Sequence, residues 1–572
     1  MKIKTIQNKV KVKPNLSDYK KTYQKFNWKD YHSELEFFKN NKINAAYNAV
    51  TRHAISNNKN KTALICTNGE KEKKFTFSDL EKQSNRFANL LTKQGIKKGD
   101  RVFIFLPRIP ELYFCFLGIL KTGAIAGTMF QAFGHDALLD RLKNSGAKFL
   151  ITDSELVKRI YGIKKDLPKL KKIIIVNKRK VKRGEISYPK EISKTSSEYK
   201  IKEMKLTDPA FMLYTSGTTG KPKGVIHSHQ AILQQHLTAK WILDLKENDI
   251  YWCTADPGWV TGISYGILGN LSNGVTSLVY NGKFSPKNWY KLIKKYNVTV
   301  WYTAPTAIRM LMKAGTTIVT KSNLKSLRHL CSVGEPLNPE AIKWGLKAFK
   351  LPFHDNWWQT ETGAICVANY PGMKIKSGSM GKPFPGIKAA VLNSKGKAVI
   401  GKEGNLVLKP GWPSMMKEIW RNQKKYKTYF KRGWYFSGDK AYQDKEGYFW
   451  FIGRADDIIK TRGERVGPFE VESALVEHPG IVEAGVIGKP DPMLGEAIKA
   501  FVVLAKGYKP GKDFYEEIKN FVKKRLAGHA YPKEVEIRKN LPKTRSGKIM
   551  RRVLKAQELG LDTGDLSTLE ND

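Results

Sequence analysis

Apolar and polar positions along this 572-residue chain alternate between helical and strand-like spacing. Apolar residues at three- and four-residue intervals predict helices over 77–91 and 110–122. Short apolar runs predict strands over 101–105, 148–152 and 210–213. Helix and strand taken in turn imply an α/β fold with largely parallel sheets. Residues 1–45 are polar with spaced aromatics, Tyr19, Tyr23, Phe26, Trp28 and Tyr31, the pattern of an arm laid over a larger body. A strand over 448–452 ends at Gly453, and Arg454-Ala-Asp-Asp457 follows. Beyond it the pattern restarts: helix 468–477, strands 484–488 and 500–504, helix 513–526. We therefore expect a large, multi-subdomain N-terminal domain over 1–455 and a small, mobile α+β C-terminal domain over 456–572. No internal repeat or low-complexity segment is visible.

Hydrophobic content of 41% and 11% aromatics are ordinary for a globular protein. The charge is not: 101 Lys and Arg against 52 Asp and Glu leave +49. Such a balance suits nucleic acid, an anionic membrane or anionic small molecules. The basic residues are spread over the whole length, so no nucleic-acid partner is expected. The densest stretch, 164–183, brackets the apolar Ile173 to Val176 and reads as a surface edge strand. Cys66, Cys115, Cys253, Cys331 and Cys366 form no CxxC pair and have mostly apolar neighbours, which predicts core thiols in a reducing compartment. No secretory leader is visible. The most apolar run, 112–120, is too short to span a bilayer. A soluble, cytoplasmic protein without membrane insertion is expected.

The candidate chemistry begins at Tyr214-Thr-Ser-Gly-Thr-Thr-Gly-Lys-Pro-Lys-Gly224. Glycines let a backbone turn its N–H groups toward one point, and hydroxyls and lysines add donors; such a nest suits a polyphosphate. It is not a Walker A loop: two residues separate Gly217 from Gly220, and Pro222 follows Lys221. No GxGxxG turn fits either.

Further motifs follow in order at 251–262, 332–336, 355–363, 437–439, 453–454, 463–465 and 541–552. With them the chain resembles the adenylate-forming acyl-CoA synthetases over nearly its whole length, and within them the AMP-forming acetyl-CoA synthetases. The resemblance implies a two-step reaction. A carboxylate attacks the α-phosphate of ATP to give acyl-AMP and pyrophosphate, and the thiol of coenzyme A then displaces AMP.

It also implies roles for individual residues. Thr215, Ser216, Gly217, Thr218, Thr219, Gly220 and Lys221 would hold the β- and γ-phosphates. Glu361 would hold Mg²⁺, and Thr360 would bond the α-phosphate. Gly334, Glu335, Pro336, Asp355, Asn356, Trp357 and Gln359 would line the nucleotide slot. Asp439 would accept the ribose hydroxyls, with Arg454 beside it, and Arg465 would contact phosphate. Lys548 would reach the carboxylate and α-phosphate during adenylation only. Asp456 would be the hinge about which the small domain rotates between steps. Arg462, Gly463 and Lys523 would face coenzyme A.

Trp358, with Val260, Thr261 and Val333, would close the acyl pocket; an indole floor leaves little room beyond a methyl group, which implies acetate. Propionate or another short acid is the neighbouring alternative, and a basic nucleic-acid-binding protein on an adenylating fold is a remote one. Lys548 would also be a target for a lysine acetyltransferase and deacetylase. The pattern departs from the family at Asn356, where threonine is usual, at Glu464, at Arg462, and at Lys523, which keeps the charge of an arginine without its fork.

Overall fold

A computed structural model describes residues 5–7, 12–217, 220–461, 464–526, 530–544, 547–563, 566 and 569; at 216, 217, 220 and 221 it describes backbone only. Two largely parallel sheets build the large domain. The first has eight strands, of which Ile125–Thr128, Arg101–Phe105, Phe149–Thr152, Lys172–Ile175 and Glu185–Ser187 run parallel in that spatial order. Beyond Ile125–Thr128 comes Pro209–Gly217, which pairs antiparallel with Gly220–Ser228. The glycine-rich segment thus begins as a hairpin at the end of a buried strand.

The second sheet has nine strands. Its parallel centre runs Phe353–Trp357, His329–Ser332, Val300–Thr303, Ile250–Cys253, Thr276–Tyr280 and Thr62–Thr67. Strands buried on both faces are apolar throughout, as in Tyr251, Trp252, Trp301 and Tyr302.

The helices follow their sequence signals. Phe77–Lys93 starts at a capping box: Thr76 accepts from the Asp79 N–H, and the Asp79 carboxylate accepts from the Thr76 N–H. Phe77, Leu80, Phe87, Leu90 and Leu91 form its buried stripe. It packs on Pro110–Lys121. Lys121 is its last residue. It is fully buried, its Nζ 2.7 Å from Glu81 Oε2 and 2.7 Å from Asn85 Oδ1. A buried ammonium persists because it is paired and hydrogen-bonded.

The N-terminal arm packs as the aromatic spacing predicts. Tyr19 lies against Tyr370, and Phe26 and Trp28 against Phe384. Thr5–Ile6 pairs with Ile375–Lys376. The expected edge strand at 173–176 needs correction. Lys172–Ile175 is covered by the three-residue strand Glu185–Ser187, which leaves Ile173, Ile174 and Ile175 buried; the flanking charge belongs to the loops.

An antiparallel five-stranded sheet, not read from the sequence, follows: Ala389–Leu392, Glu403–Leu408, Trp434–Gln443, Phe430–Lys431 and Phe449–Arg454. The small domain then forms its own core. Strands Ile481–Asp491 and Gly495–Leu504 make a long hairpin, and helices Pro468–Val476 and Phe514–Arg525 contribute to the same cluster. All five cysteines are free and four are buried. Burial pushes the Cys66 thiol up to about 12 and Cys253 up to about 11, so neither is a ready nucleophile.

Candidate active site

The parallel strands of the second sheet deliver the site at their carboxyl ends, where open α/β sheets place ligands. Thr254 to Trp259 follow Ile250–Cys253, Ala304 and Thr306 follow Val300–Thr303, Val333 to Pro336 follow His329–Ser332, and Trp358 to Glu361 follow Phe353–Trp357. The antiparallel sheet contributes Ser437, Gly438 and Arg454, and the small domain closes the top with Gly547 and Lys548. Together they enclose about 1170 Å³. A narrower slot of about 170 Å³ opens beside it, lined by Gly334, Glu335, Pro336, Asp355, Asn356, Trp357, Gln359 and Asp439.

At one end lies Glu361. Its Oε1 is 2.7 Å from Lys223 Nζ and accepts from the Tyr429 hydroxyl at 3.0 Å. Lys223 also contacts that hydroxyl directly. Burial opposes ionisation of Glu361, but Lys223 and then Tyr429 outweigh it and hold the carboxyl below its ordinary range. The Thr215 hydroxyl lies on the same lining, buried and without a hydrogen-bond partner among the described residues. An orphaned hydroxyl, a lysine and one hard carboxylate suit a phosphate chain carrying a cation. Among the described residues no cluster of three or more His, Cys, Asp or Glu could cage a metal. A single carboxylate fits an ion such as Mg²⁺ that takes its remaining ligands from phosphate and water.

Tyr429 stacks on Tyr435 with ring planes 4° apart. The Tyr435 hydroxyl donates to Gln359 Oε1 at 2.8 Å, and Gln359 Nε2 donates to Asp439 Oδ2 at 2.9 Å. The Trp357 indole donates to the same oxygen at 2.9 Å, and Arg454 Nη1 lies 2.6 Å from Oδ1. Burial raises the Asp439 carboxyl against the pull of Arg454, and the Arg454 pKa is itself raised. Gly438, at φ +77°, lets the guanidinium cross the strand: an added Cβ would sit 2.9 Å from Arg454 Nη2. Asp355 is buried and its pKa is raised well above the ordinary range by that burial.

Part of the cavity lining is apolar. Val260, Thr261 and Val333 are nearly buried, and Trp358 stands against them. Tyr265 meets its indole edge-on at 5.2 Å, and the indole N–H points to the Tyr302 hydroxyl at 3.4 Å. Tyr302 in turn donates to Asn356 Oδ1 at 2.9 Å, and Asn356 Nδ2 donates to the Ser332 carbonyl at 2.8 Å. Asn356 therefore supports Trp358 through Tyr302, a use its position in the motif did not suggest.

Lys548 enters from the small domain. Its turn is held by Gly547 N–H to the Thr544 carbonyl at 2.7 Å and Thr544 N–H to the Lys548 carbonyl at 2.8 Å. Its side chain is open to the cavity, although dense protein surrounds it. Burial, then Arg454 and Arg551, lower its pKa. Asp456 stands exposed at the mouth.

Not every expected residue is gathered here. Arg465 lies on the small-domain strand Glu464–Val466, outside the lining of either cavity. Lys523 also stands apart, its ammonium 4.3 Å above the Tyr531 ring. Thr218, Thr219, Arg462 and Gly463 lie outside the described residues, as do the side chains of Ser216 and Lys221. The sequence reading missed Tyr302, Tyr429, Tyr435 and His227. His227 is buried, with Nε2 2.8 Å from the Thr360 carbonyl and Nδ1 3.0 Å from that of Ser414, so it fixes the backbone beside Glu361. Burial lowers its pKa to about 4.

This constellation, on this pair of sheets with a small capping domain, defines an adenylate-forming enzyme. The sequence matches the family model of AMP-binding enzymes over residues 51–420 and that of the AMP-binding enzyme C-terminal domain over 470–548, and the chain belongs to that family.

Within it, the chain is 54% identical to an acetyl-coenzyme A synthetase of Bacillus subtilis, over 97% of this chain and 98% of that protein. It is 42% identical to one of Methanothrix thermoacetophila, over 94% and 86%. Among solved structures it is similar to an acyl-CoA synthetase of Brucella canis (TM-score 0.75, 34% identity, 95% of this chain and 99% of that one). It is also similar to the anthranilate CoA ligase AuaEII in complex with anthranoyl-AMP (TM-score 0.85, 28% identity, 92% and 99%).

Proposed function

We propose that the chain is an AMP-forming acetate–CoA ligase, converting ATP, acetate and coenzyme A to AMP, pyrophosphate and acetyl-CoA. The observation that carries this is Trp358, held by Tyr265 and Tyr302 across the pocket of Val260, Thr261 and Val333, in the same cavity as Glu361 and Lys548. The similarity to acetyl-coenzyme A synthetases supports it.

In the first step an acetate oxygen bonds to the α-phosphorus, and the bond to the bridging oxygen of pyrophosphate breaks. Two anions must approach, so the chain supplies cations and donors where charge develops. Lys548 bridges the carboxylate and the α-phosphate; Thr360 donates to that phosphate. Thr215 and the rest of the glycine-rich hairpin take the outer phosphates. Glu361 would hold Mg²⁺, which when bound would neutralise phosphate charge. Asp439 receives the ribose hydroxyls, and the slot from Gly334 to Gln359 receives the base.

In the second step the coenzyme A thiolate bonds to the acyl carbon, and AMP leaves with the electron pair of the broken C–O bond. The domain boundary at 455/456 makes Asp456 the hinge for the rotation that withdraws Lys548. Arg462, Gly463, Arg465 and Lys523 act on the face that rotation presents. Lys548, open to the cavity, is also where a lysine acetyltransferase and deacetylase would act. No helix among the described residues is long and apolar enough to cross a membrane, in keeping with action on small molecules in the cytoplasm.

Carboxylate-dependent ATP–pyrophosphate exchange with acetate, propionate, butyrate and octanoate tests the reading. Exchange strongest with acetate is expected. Weaker exchange with propionate is also expected, since one methylene is discriminated by only about 10–200-fold. A maximum at a longer acid overturns the substrate, and no exchange with any acid overturns the reaction.

A further inference from the structure

Thr306 lies at the start of the helix Pro305–Lys313, just beyond the strand Val300–Thr303. It is nearly buried. Its hydroxyl is 2.6 Å from Glu335 Oε1 and 2.8 Å from the carbonyl oxygen of Gly547. Arg309 Nη2 donates to that hydroxyl at 2.8 Å and lies 2.6 Å from Glu335 Oε2. The hydroxyl has one proton for two acceptors. Arg309 bonds the other carboxylate oxygen, Oε2, so Glu335 Oε1 and the Gly547 carbonyl share that proton.

Gly547 belongs to the other domain, 241 residues away in sequence, and directly precedes Lys548. The contact is steric as well as polar. Gly547 has φ +87°, and a Cβ placed on it would lie 2.3 Å from Thr306 Cγ2. Only glycine can therefore sit against Thr306 in this arrangement.

We propose that Thr306, set in place by Arg309 and Glu335, is a positioning residue for the reaction: the catch that seats the Gly547–Lys548 turn with the lysine inside the cavity. The proposal rests on the adenylation reading above. The catch acts in the adenylation step and is released when the small domain turns away. A hydroxyl lost there leaves a buried carbonyl unpaired and costs the seated state about tenfold in population.

The test uses the full-length enzyme, unaltered and as Thr306→Val and Thr306→Ser. Two half-reactions are measured on each: acetate-dependent ATP–pyrophosphate exchange, and acetyl-CoA formation from supplied acetyl-AMP and coenzyme A. Thr306→Val should lower the maximal exchange rate about tenfold with KM for ATP within about twofold, and leave the thioester step within about twofold. Thr306→Ser should restore exchange. A Thr306→Val enzyme with unchanged exchange overturns the catch, and so does an equal loss in both half-reactions. Absence of exchange in the unaltered enzyme, by contrast, overturns the adenylation reading beneath it.

Discussion

Trp358→Gly is the perturbation that tests the pocket most directly. The indole is fixed by the Tyr265 ring at 5.2 Å and by the Tyr302 hydroxyl at 3.4 Å, it lines the same cavity as Val260, Thr261 and Val333, and on the proposed reading it closes the acyl pocket. Removing it strands no donor, because the Tyr302 hydroxyl still donates to Asn356 Oδ1. The stability cost is therefore one of packing. It should be about 2 kcal/mol, below the ~3–5 kcal/mol of truncating a fully buried tryptophan, since Trp358 is only half-buried.

The vacated space accepts a chain longer by several carbons. Each buried methylene contributes about 0.8 kcal/mol, so four give about 3 kcal/mol, roughly two-hundredfold in kcat/KM for hexanoate relative to acetate. Acetate itself should weaken, because its methyl group loses the indole face. The assay is initial-rate acyl-CoA formation with acetate through octanoate on both enzymes, with a thermal melt to confirm folding. A folded variant whose acid profile matches the parent refutes Trp358 as the floor.

Four further perturbations check the proposed roles and the buried histidines. Lys548→Ala should reduce ATP–pyrophosphate exchange by about a hundred- to a thousandfold while thioester formation from supplied acetyl-AMP stays within a few-fold; equal losses would count against a role confined to adenylation. In the parent enzyme kcat/KM for ATP in the exchange reaction, which follows the free enzyme, should fall at alkaline pH through a limb below the ordinary lysine value of 10.5, because in the nucleotide-free enzyme the surrounding protein, then Arg454 and Arg551, lower the Lys548 pKa and its ammonium form is the active one; a limb at or above that value would contradict this. Glu361→Gln should raise the magnesium concentration for half-maximal exchange about tenfold, and an unchanged magnesium curve would remove Glu361 from the metal site. Stability should fall on acidification from pH 6.5 toward 4: His53, His227 and His229 are held by burial at about 4, 4 and 3, so below 6.5 the unfolded chain binds protons that the folded chain does not. Each of the first two amounts to about 3 kcal/mol at full effect, and urea midpoints that do not move between pH 7 and 5 would contradict it.

Local signals carried the fold a long way. The capping box at Thr76 and Asp79 and the stripe from Phe77 to Leu91 mark a helix wherever they occur, and the structure has Phe77–Lys93. Continuous apolar runs mark strands covered on both faces, as at Arg101–Phe105. The antiparallel sheet was legible in principle. Trp434–Gln443 places Tyr435, Ser437, Asp439 and Ala441 inward, but two polar members of that alternating set hid the period. The burial of Lys121 was not legible locally: its partner Glu81 lies forty positions earlier. The motifs located Glu361, Asp439 and Arg454, whereas the Tyr429–Tyr435–Gln359 chain that links them arises only when two sheets meet.

The charges around Lys548 explain why closure and nucleotide binding should be linked. In the seated state Arg454 and Arg551 both disfavour its ammonium, while Asp439 and Asp457 favour it less strongly. Asp439 is already engaged by Arg454, and Arg551 is held by Glu472 at 2.6 Å. Closing the small domain therefore brings Lys548, together with Arg551 of its own domain, up to Arg454, whose partner Asp439 is already taken. A triphosphate in the cavity would reverse that sign, so it binds the closed arrangement better than the open one and shifts the population toward closure. Loss of pyrophosphate after adenylation removes most of that negative charge, and repulsion between Arg454 and the two cations of the small domain then favours withdrawal of Lys548. On this reading the domain exchange follows the charge of whatever occupies the cavity, with the Thr306–Gly547 contact setting only where the lysine comes to rest.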